Sequence, residues 1–224
     1  YAPHLLGAVS VAAYSYMSLV PVIQPPIMKL LTSQKERTVI MEPATKPVSK
    51  TAKIVFPIAV TVVGGLIAPK GLPLIGTIML GNLLKECAVV SRLTKASENE
   101  IANVVTLFLG ICIGATMDGK LFLSGQTLLI LGFGFIAICL DTVCGVLFGK
   151  LMYLLTGGKI NPLIGAAGIS AYPMAARVVQ KEGQKYNKLN FLLMHAVGAN
   201  TGGQVGSVMA AAIMLSVLHG MGII

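Results

Sequence analysis

Residues 125–155, GQTLLILGFGFIAICLDTVCGVLFGKLMYLL, form an apolar run long enough to cross a bilayer. The hydrocarbon core asks for about 20 residues of helix. Further apolar stretches occupy 4–23, 54–69, 72–90, 101–117 and 189–219. The whole chain is 55% hydrophobic and 11% charged, against roughly 25% charged residues in a soluble domain. Together these features predict an all-α, polytopic membrane protein forming a single membrane domain over 1–224. Its first residue is Tyr1, already leading into an apolar segment. It reads as the C-terminal part of a longer subunit. The net charge of +9 does not point to nucleic acid, because the basic residues lie between apolar runs and no basic stripe interleaves with aromatics. The four cysteines show no CxxC spacing and are expected as small buried hydrophobes without a transition metal.

Loop charge orients such a chain. Pro21, Pro25 and Pro26 are expected to end the first span, leaving 24–53 as a basic cytoplasmic loop with six basic groups against Glu36 and Glu42. "PKGLP" at 69–73 and "MDGK" at 117–120 are tight turns. Glu86, near the end of a span, is expected to pair with a basic neighbour. The second basic segment, 177–188, carries Arg177, Lys181, Lys185 and Lys188 against Glu182. Four spans separate these two segments. They share a side only if 160–176 does not cross the membrane, which predicts a re-entrant or broken helix there.

That segment, "INPLIGAAGISAYPMAARVV" (160–179), is full of interruptions. Pro162 and Pro173 remove N–H donors. Irregular backbone at membrane depth survives only where protein buries it or it lines a cavity. The freed carbonyls, the Asn161 amide and the Ser170 hydroxyl form an oxygen set suited to Na⁺, with Gly165 and Gly168 allowing close approach. Close helix packing is the competing role for the two glycines. "HAVGANTGGQVGS" (195–207) repeats the pattern with Asn200, Thr201, Gln204 and Ser207. It is expected as a second interrupted ion-site segment. For Thr201 and Ser207, hydroxyl bonding back to their own helix competes with that role. Paired interrupted segments, and the echo of "SVAAY" (10–14) in "GISAY" (168–172), suggest an inverted-repeat transporter architecture.

Ionisable groups inside spans are functional candidates. Asp141 is the only carboxylate deep in an apolar run. Arg177 is either a topology anchor or a contact for an anion. His195 is either a packing group or a proton relay. Tyr14 and Tyr16 are either interfacial aromatics or proton and ion groups. Walker A, GxGxxG, HExxH, nucleophile-elbow and Met-Lys-Met biotin motifs are all missing from the sequence. Any energy source therefore lies in a partner or a gradient.

"AAYSYMSLVPVIQPPIMK", "GNLLKE", "NPLIGAAGISAYPMAARVVQKEGQ" and "NFLLMHAVGANTGGQVGS" resemble the beta subunit of the sodium-pumping, biotin-dependent decarboxylases of oxaloacetate, methylmalonyl-CoA or glutaconyl-CoA. The resemblance covers nearly all of the chain and matches the C-terminal part of the family's subunit. It implies decarboxylation of carboxybiotin coupled to outward Na⁺ transport with proton consumption. It also implies a carboxyltransferase (alpha) partner, a biotin carrier, a small gamma or delta membrane subunit, homo-oligomers, and a bacterial or archaeal inner membrane. Sodium handling is carried over to Asn161, Gly165, Ser170 and Asn200. Proton or carboxybiotin handling falls to Arg177 and to Tyr14 or Tyr16. Asp141, His195, Thr201 and Ser207 remain weaker candidates. The family's essential membrane Asp is expected upstream of this chain. "GANTGGQ" leans toward the CoA-ester enzymes. A secondary sodium symporter without decarboxylase chemistry, and a subunit that only docks a soluble enzyme, are the competing readings.

Overall fold

The computed structural model describes residues 5–42, 48–117, 119, 124–169 and 171–223, and these are helical without strands. Two compact units divide the chain: residues 44–116 with 205–224, and residues 2–43 with 117–204.

The second unit holds the irregular segment. Helix α1 runs Leu6–Leu31. Its buried residues Ala12, Tyr16, Val20, Gln24 and Met28 recur every fourth position, the spacing of a ridge that packs into a neighbour's groove. The expected end of this helix at 23 is corrected: α1 continues through Pro21, Pro25 and Pro26. Pro21 and Pro26 are exposed, so the lost donors lie off the buried ridge, and ridge packing holds the helix together. The polar loop is correspondingly shorter than 24–53. It contains α2 (Gln34–Arg37), which opens on a capping box between Ser33 and Glu36.

Helix α7 spans Gly125–Leu155, N-capped by Ser124. A 3₁₀ helix over Pro162–Gly168 follows, and the backbone is extended at Ile169. After the Tyr172–Pro173 cis peptide comes α8 (Met174–Tyr186), whose inner face buries Ala175, Ala176, Val178, Val179, Glu182 and Gly183. The core of this unit centres on the irregular segment. Leu163, Ala166, Ala167 and Ile169 are buried with Val20 and Met28 of α1, Val146 of α7, Ala175 and Val179 of α8, and Leu192 and Ala196. The segment 160–173 therefore forms no membrane-spanning helix.

Helix α9 covers Leu193–Gly220 without a break. The interruption expected at 195–207 is thus corrected. Gly198, Gly202, Gly203 and Gly206 each weaken a helix by about 1 kcal/mol, but every N–H donor is kept because no proline falls within the run.

In the first unit, α3 (Lys50–Ile67) and α4 (Leu72–Cys87) form a hairpin through the turn Pro69–Gly71. Ile75 packs on Gly64 and Leu72 on Gly65. As expected, Glu86 pairs with a basic group, Lys53, at 3.2 Å. Helices α5 (Ser91–Ala96) and α6 (Ala102–Ala115) join through a π turn at Ser97–Ile101. Among the described residues, five helices are long and apolar enough to span a membrane: Leu6–Leu31, Lys50–Ile67, Ser91–Ala115, Gly125–Leu155 and Leu193–Gly220. Helix α4, at 16 residues, is shorter than the expected span over 72–90. Many large apolar side chains point outward, including Leu107, Phe133, Leu154 and Met194, as lipid-facing helices require. Cys112 and Cys144 share that exposure and Cys87 and Cys139 are partly exposed, so the cysteines are not the buried packing groups expected.

Candidate functional site

The irregular segment lies against α7 at van der Waals limits. A Cβ on Gly165 would collide with the Gly145 carbonyl, one on Gly145 with the Gly165 carbonyl, and one on Gly149 with the Pro162 carbonyl. Gly165 therefore serves backbone-to-backbone packing. Gly168 faces open space. A Cβ on Gly203 of α9 would collide with the Gly168 carbonyl, so α9 closes on the segment through a glycine as well.

Three buried amides hold this backbone from different sides. Asn161 donates Nδ2–H to the carbonyls of Arg37 (3.1 Å) and Val39 (2.8 Å), while its Oδ1 accepts from the Leu163 N–H at 3.0 Å. It is an Asx cap on the 3₁₀ turn and a clamp on the loop after α2. On α9, Asn200 donates to the carbonyls of Ala167 (2.9 Å) and Ile169 (2.7 Å). Gln24 of α1 donates to the Ala166 carbonyl at 2.7 Å. Carbonyl oxygens only accept, so these contacts fix which end of each amide is nitrogen. The opposite ends, Asn200 Oδ1 and Gln24 Oε1, are buried and take no hydrogen bond among the described residues. A buried acceptor left so costs about 1–3 kcal/mol. Such oxygens are the natural ligands of a hard cation.

The other expected residues fall into place around this centre or away from it. Tyr16 is 8% exposed, lies over Gly134, and donates its hydroxyl to the α7 carbonyls of Ile130 (3.2 Å) and Leu131. Tyr14, on the same helix, is 51% exposed. The structure thus singles out Tyr16 as the inward tyrosine. Arg177 is exposed in the first turn of α8. Asp141 is exposed on α7, away from the buried face that carries Thr142 and Val146. His195 is half-buried. Thr201 donates its hydroxyl back to the Val197 carbonyl at 2.9 Å, the local bond that competes with an ion role. Ser207 is exposed on the part of α9 belonging to the first unit. Ser170 lies outside the described residues. No cluster of His, Cys, Asp and Glu suited to a metal occurs among the described residues.

The end of the unit where α1, α2, α7 and α8 terminate or begin is strongly basic. Arg37 donates to Thr32 Oγ1 (2.9 Å), the Thr32 carbonyl, the Lys29 carbonyl (2.8 Å) and the Tyr186 hydroxyl (2.8 Å), and stacks over the Tyr186 ring. Lys150 donates to the Leu31 carbonyl at 3.0 Å. These cations satisfy the carbonyl end of α1. Buried Glu182 pairs with Lys185 (2.6 Å) and Lys29 (3.8 Å). Burial acts to raise the Glu36 carboxyl, but hydrogen bonds from the Ser33 backbone and hydroxyl, together with the Lys150 ammonium, outweigh it and hold the group below its ordinary value.

Sequence reading missed Gln24 and Asn190. The first was assigned to a loop because prolines follow it. Its spacing of four from Val20 and Met28 is the signal that places it on the buried ridge. Asn190, at the α8–α9 turn, donates to the Val39 carbonyl at 3.0 Å and so shares a clamp with Asn161.

A multi-pass membrane protein with an amide-gripped 3₁₀ segment in its core, in place of a spanning α-helix, is the class these features define. Residues 1–218 match the family model of the Na⁺-transporting oxaloacetate decarboxylase beta subunit, and the chain belongs to that family. It is 54% identical to the methylmalonyl-CoA decarboxylase subunit beta of Veillonella parvula, over 97% of this chain and 58% of that protein. Identity to the oxaloacetate decarboxylase beta chain of Klebsiella pneumoniae is 51%, over 98% of this chain and 51% of the relative. The glutaconyl-CoA decarboxylase subunit beta of Acidaminococcus fermentans is 51% identical, with 98% and 58% covered. The chain spans about half the length of the curated relatives it matches.

Proposed function

We propose that the chain belongs to the membrane subunit of a biotin-dependent decarboxylase that exports Na⁺. Carboxybiotin arrives on a carrier loaded by a carboxyltransferase partner. The bond between the ureido nitrogen and the carboxyl carbon breaks, CO₂ leaves, and a proton takes its place on nitrogen. A small gamma or delta membrane subunit and further copies of the chain complete the complex, in a bacterial or archaeal inner membrane. Residues 177–188 and the loop after α1 face the cytoplasm. There the exposed guanidinium of Arg177 meets the carboxylate of carboxybiotin.

One observation carries this reading: the Asn200 amide, with both donor contacts made to Ala167 and Ile169 and its oxygen buried without a hydrogen bond among the described residues. Na⁺ is the cargo that such an oxygen holds, with carbonyls of the irregular segment beside it; Ser170 joins the ligand set through the sequence and its family resemblance alone. Asn161 and Gly165 build the frame, and the second lone pair of Asn161 Oδ1 remains open to the ion. Tyr16, bound to α7, links the frame to α1 and stands in the proton path. Neutral ligands keep the site weak enough to release Na⁺ outward. Asp141, His195, Thr201 and Ser207 have no part in this scheme.

The test uses the intact complex in proteoliposomes, with substrate added and ²²Na⁺ uptake followed with and without avidin. Substrate-driven uptake abolished by avidin supports the pump. Uptake indifferent to substrate and avidin overturns it and favours a gradient-driven symporter.

A further inference from the structure

We infer that Gln24 on helix α1 is an oxygen ligand of the transported cation, so that the ion bridges α1 to the irregular segment. This rests on the sodium reading above.

The side chain is fully buried inside a helix that spans the membrane, where a polar group survives only with its needs met. Half of that need is met visibly. The Nε2–H donates to the Ala166 carbonyl at 2.7 Å, which fixes the planar amide and leaves Oε1 at the same edge of the segment. That oxygen is buried and takes no hydrogen bond among the described residues. Asn200 does the same from α9, one residue further along: its nitrogen takes Ala167 and Ile169, and its oxygen is buried and unbonded. Two amides from two helices thus grip successive carbonyls of one 3₁₀ turn, and both leave an acceptor over. A surplus oxygen alone does not mark an ion ligand, since Asn190 of the loop clamp also leaves its Oδ1 unbonded among the described residues. Gln24 and Asn200 differ in meeting on one segment at membrane depth, where Leu or Met would fill the same volume at lower cost than an amide with a surplus oxygen. A cation uses it directly. Backbone carbonyls already committed to the amide N–H groups keep a second lone pair, so the same stretch can contribute ligands beside Gln24 and Asn200. The position of Gln24 carries a further consequence. It lies two ridge steps from Tyr16, which is hydrogen-bonded to α7. Binding at Gln24 Oε1 therefore ties the ion to the helix that bears the inward tyrosine.

The experiment is thermal unfolding of the intact complex over a NaCl titration at constant ionic strength, balanced with choline chloride, for wild type, Q24M and Q24E. Methionine keeps the volume and removes both amide ends. Glutamate removes the donor to Ala166 but keeps oxygen. The expected result is a Na⁺-dependent rise in Tm for wild type and a half-maximal Na⁺ concentration about tenfold higher in Q24M. In Q24E it should lie at or below the wild-type value. A strut that merely holds Ala166 predicts the reverse order, with Q24E hurt at least as much as Q24M. An unchanged Na⁺ midpoint in Q24M overturns the Gln24 assignment while leaving the sodium reading intact. A wild-type complex that shows no Na⁺-dependent shift overturns both. If Q24M does not assemble, Q24E decides: a midpoint tenfold above wild type overturns the assignment.

Discussion

Residues 160–173 and 193–207 look alike in sequence and fold differently. Both are rich in glycine and small polar residues, and both interrupt an apolar stretch. The first is a short 3₁₀ helix followed by extended backbone. The second is part of an unbroken helix. The difference is the supply of backbone donors. Pro162 and Pro173 remove two, and Asn161 caps the turn, so the segment's carbonyls turn to side-chain amides instead. Residues 193–207 keep all their donors and stay helical, using glycine only to let Gly168 approach Gly203. Helix α1 adds a qualification. Three prolines do not break it, because its ridge of every fourth residue is buried against other elements. Proline breaks the helix where other donors wait for the carbonyls and tolerates it where packing continues past the gap.

Glycine substitutions test this contrast most severely. Gly165→Ala pushes a methyl into the Gly145 carbonyl and Gly203→Ala pushes one into the Gly168 carbonyl. Each should cost about 3 kcal/mol, seen as lost assembly or a large fall in Tm of the complex. Gly198→Ala, where nothing lies within 4 Å, should leave Tm unchanged or raise it, with at most about 1 kcal/mol of helix gain. Equal damage at Gly198 and Gly203 would contradict the close-approach account.

The amide clamp comes next in size. Asn161→Ala removes two donors and the Asx cap, leaving the Arg37 and Val39 carbonyls to Asn190 alone. A loss of about 2 kcal/mol is expected. Asn190→Ala should cost less, because Asn161 still holds both carbonyls. Limited proteolysis of the loop after α2 would reveal the order: faster cleavage in Asn161→Ala than in Asn190→Ala. The opposite order would place the main clamp at Asn190.

How much of this was legible beforehand follows the same physics. Helix α7 was legible as a span over about 125–155, because so long an apolar run has one solution in a membrane. The break at 160–173 was legible from Pro162 and Pro173. Its mirror at 195–207 was misread because glycine was weighed like proline. That Asn200 turns inward could be guessed from an amide in an apolar run. Gln24 carried the same kind of signal in its spacing from Val20 and Met28, but that signal counts only once α1 continues past Pro21. For Gly165 the sequence left an ion site and close packing both open, and the contact with α7 shows the packing role. That contact depends on Gly145, twenty residues earlier, which no local pattern reveals.

The smallest effect concerns Glu36. Its folded-state value is depressed by Ser33 and Lys150, so its contribution is present above the ordinary carboxylate value and is lost as pH falls through the folded value. Glu36→Gln should lower stability by a few tenths of a kcal/mol at pH 7. The gap from wild type should close as the pH is taken below the carboxylate range. A gap that persists or widens in acid would contradict the ion pair with Lys150.

The most direct measurement compares Asn200→Leu with wild type for substrate-driven ²²Na⁺ uptake by the intact complex across a range of Na⁺ concentrations, with assembly checked on the same preparations. The account predicts an assembled Asn200→Leu complex whose uptake is nearly abolished or needs at least about tenfold more Na⁺. An assembled complex that transports Na⁺ with the wild-type concentration dependence would contradict the claim that the amide-gripped segment is the ion site.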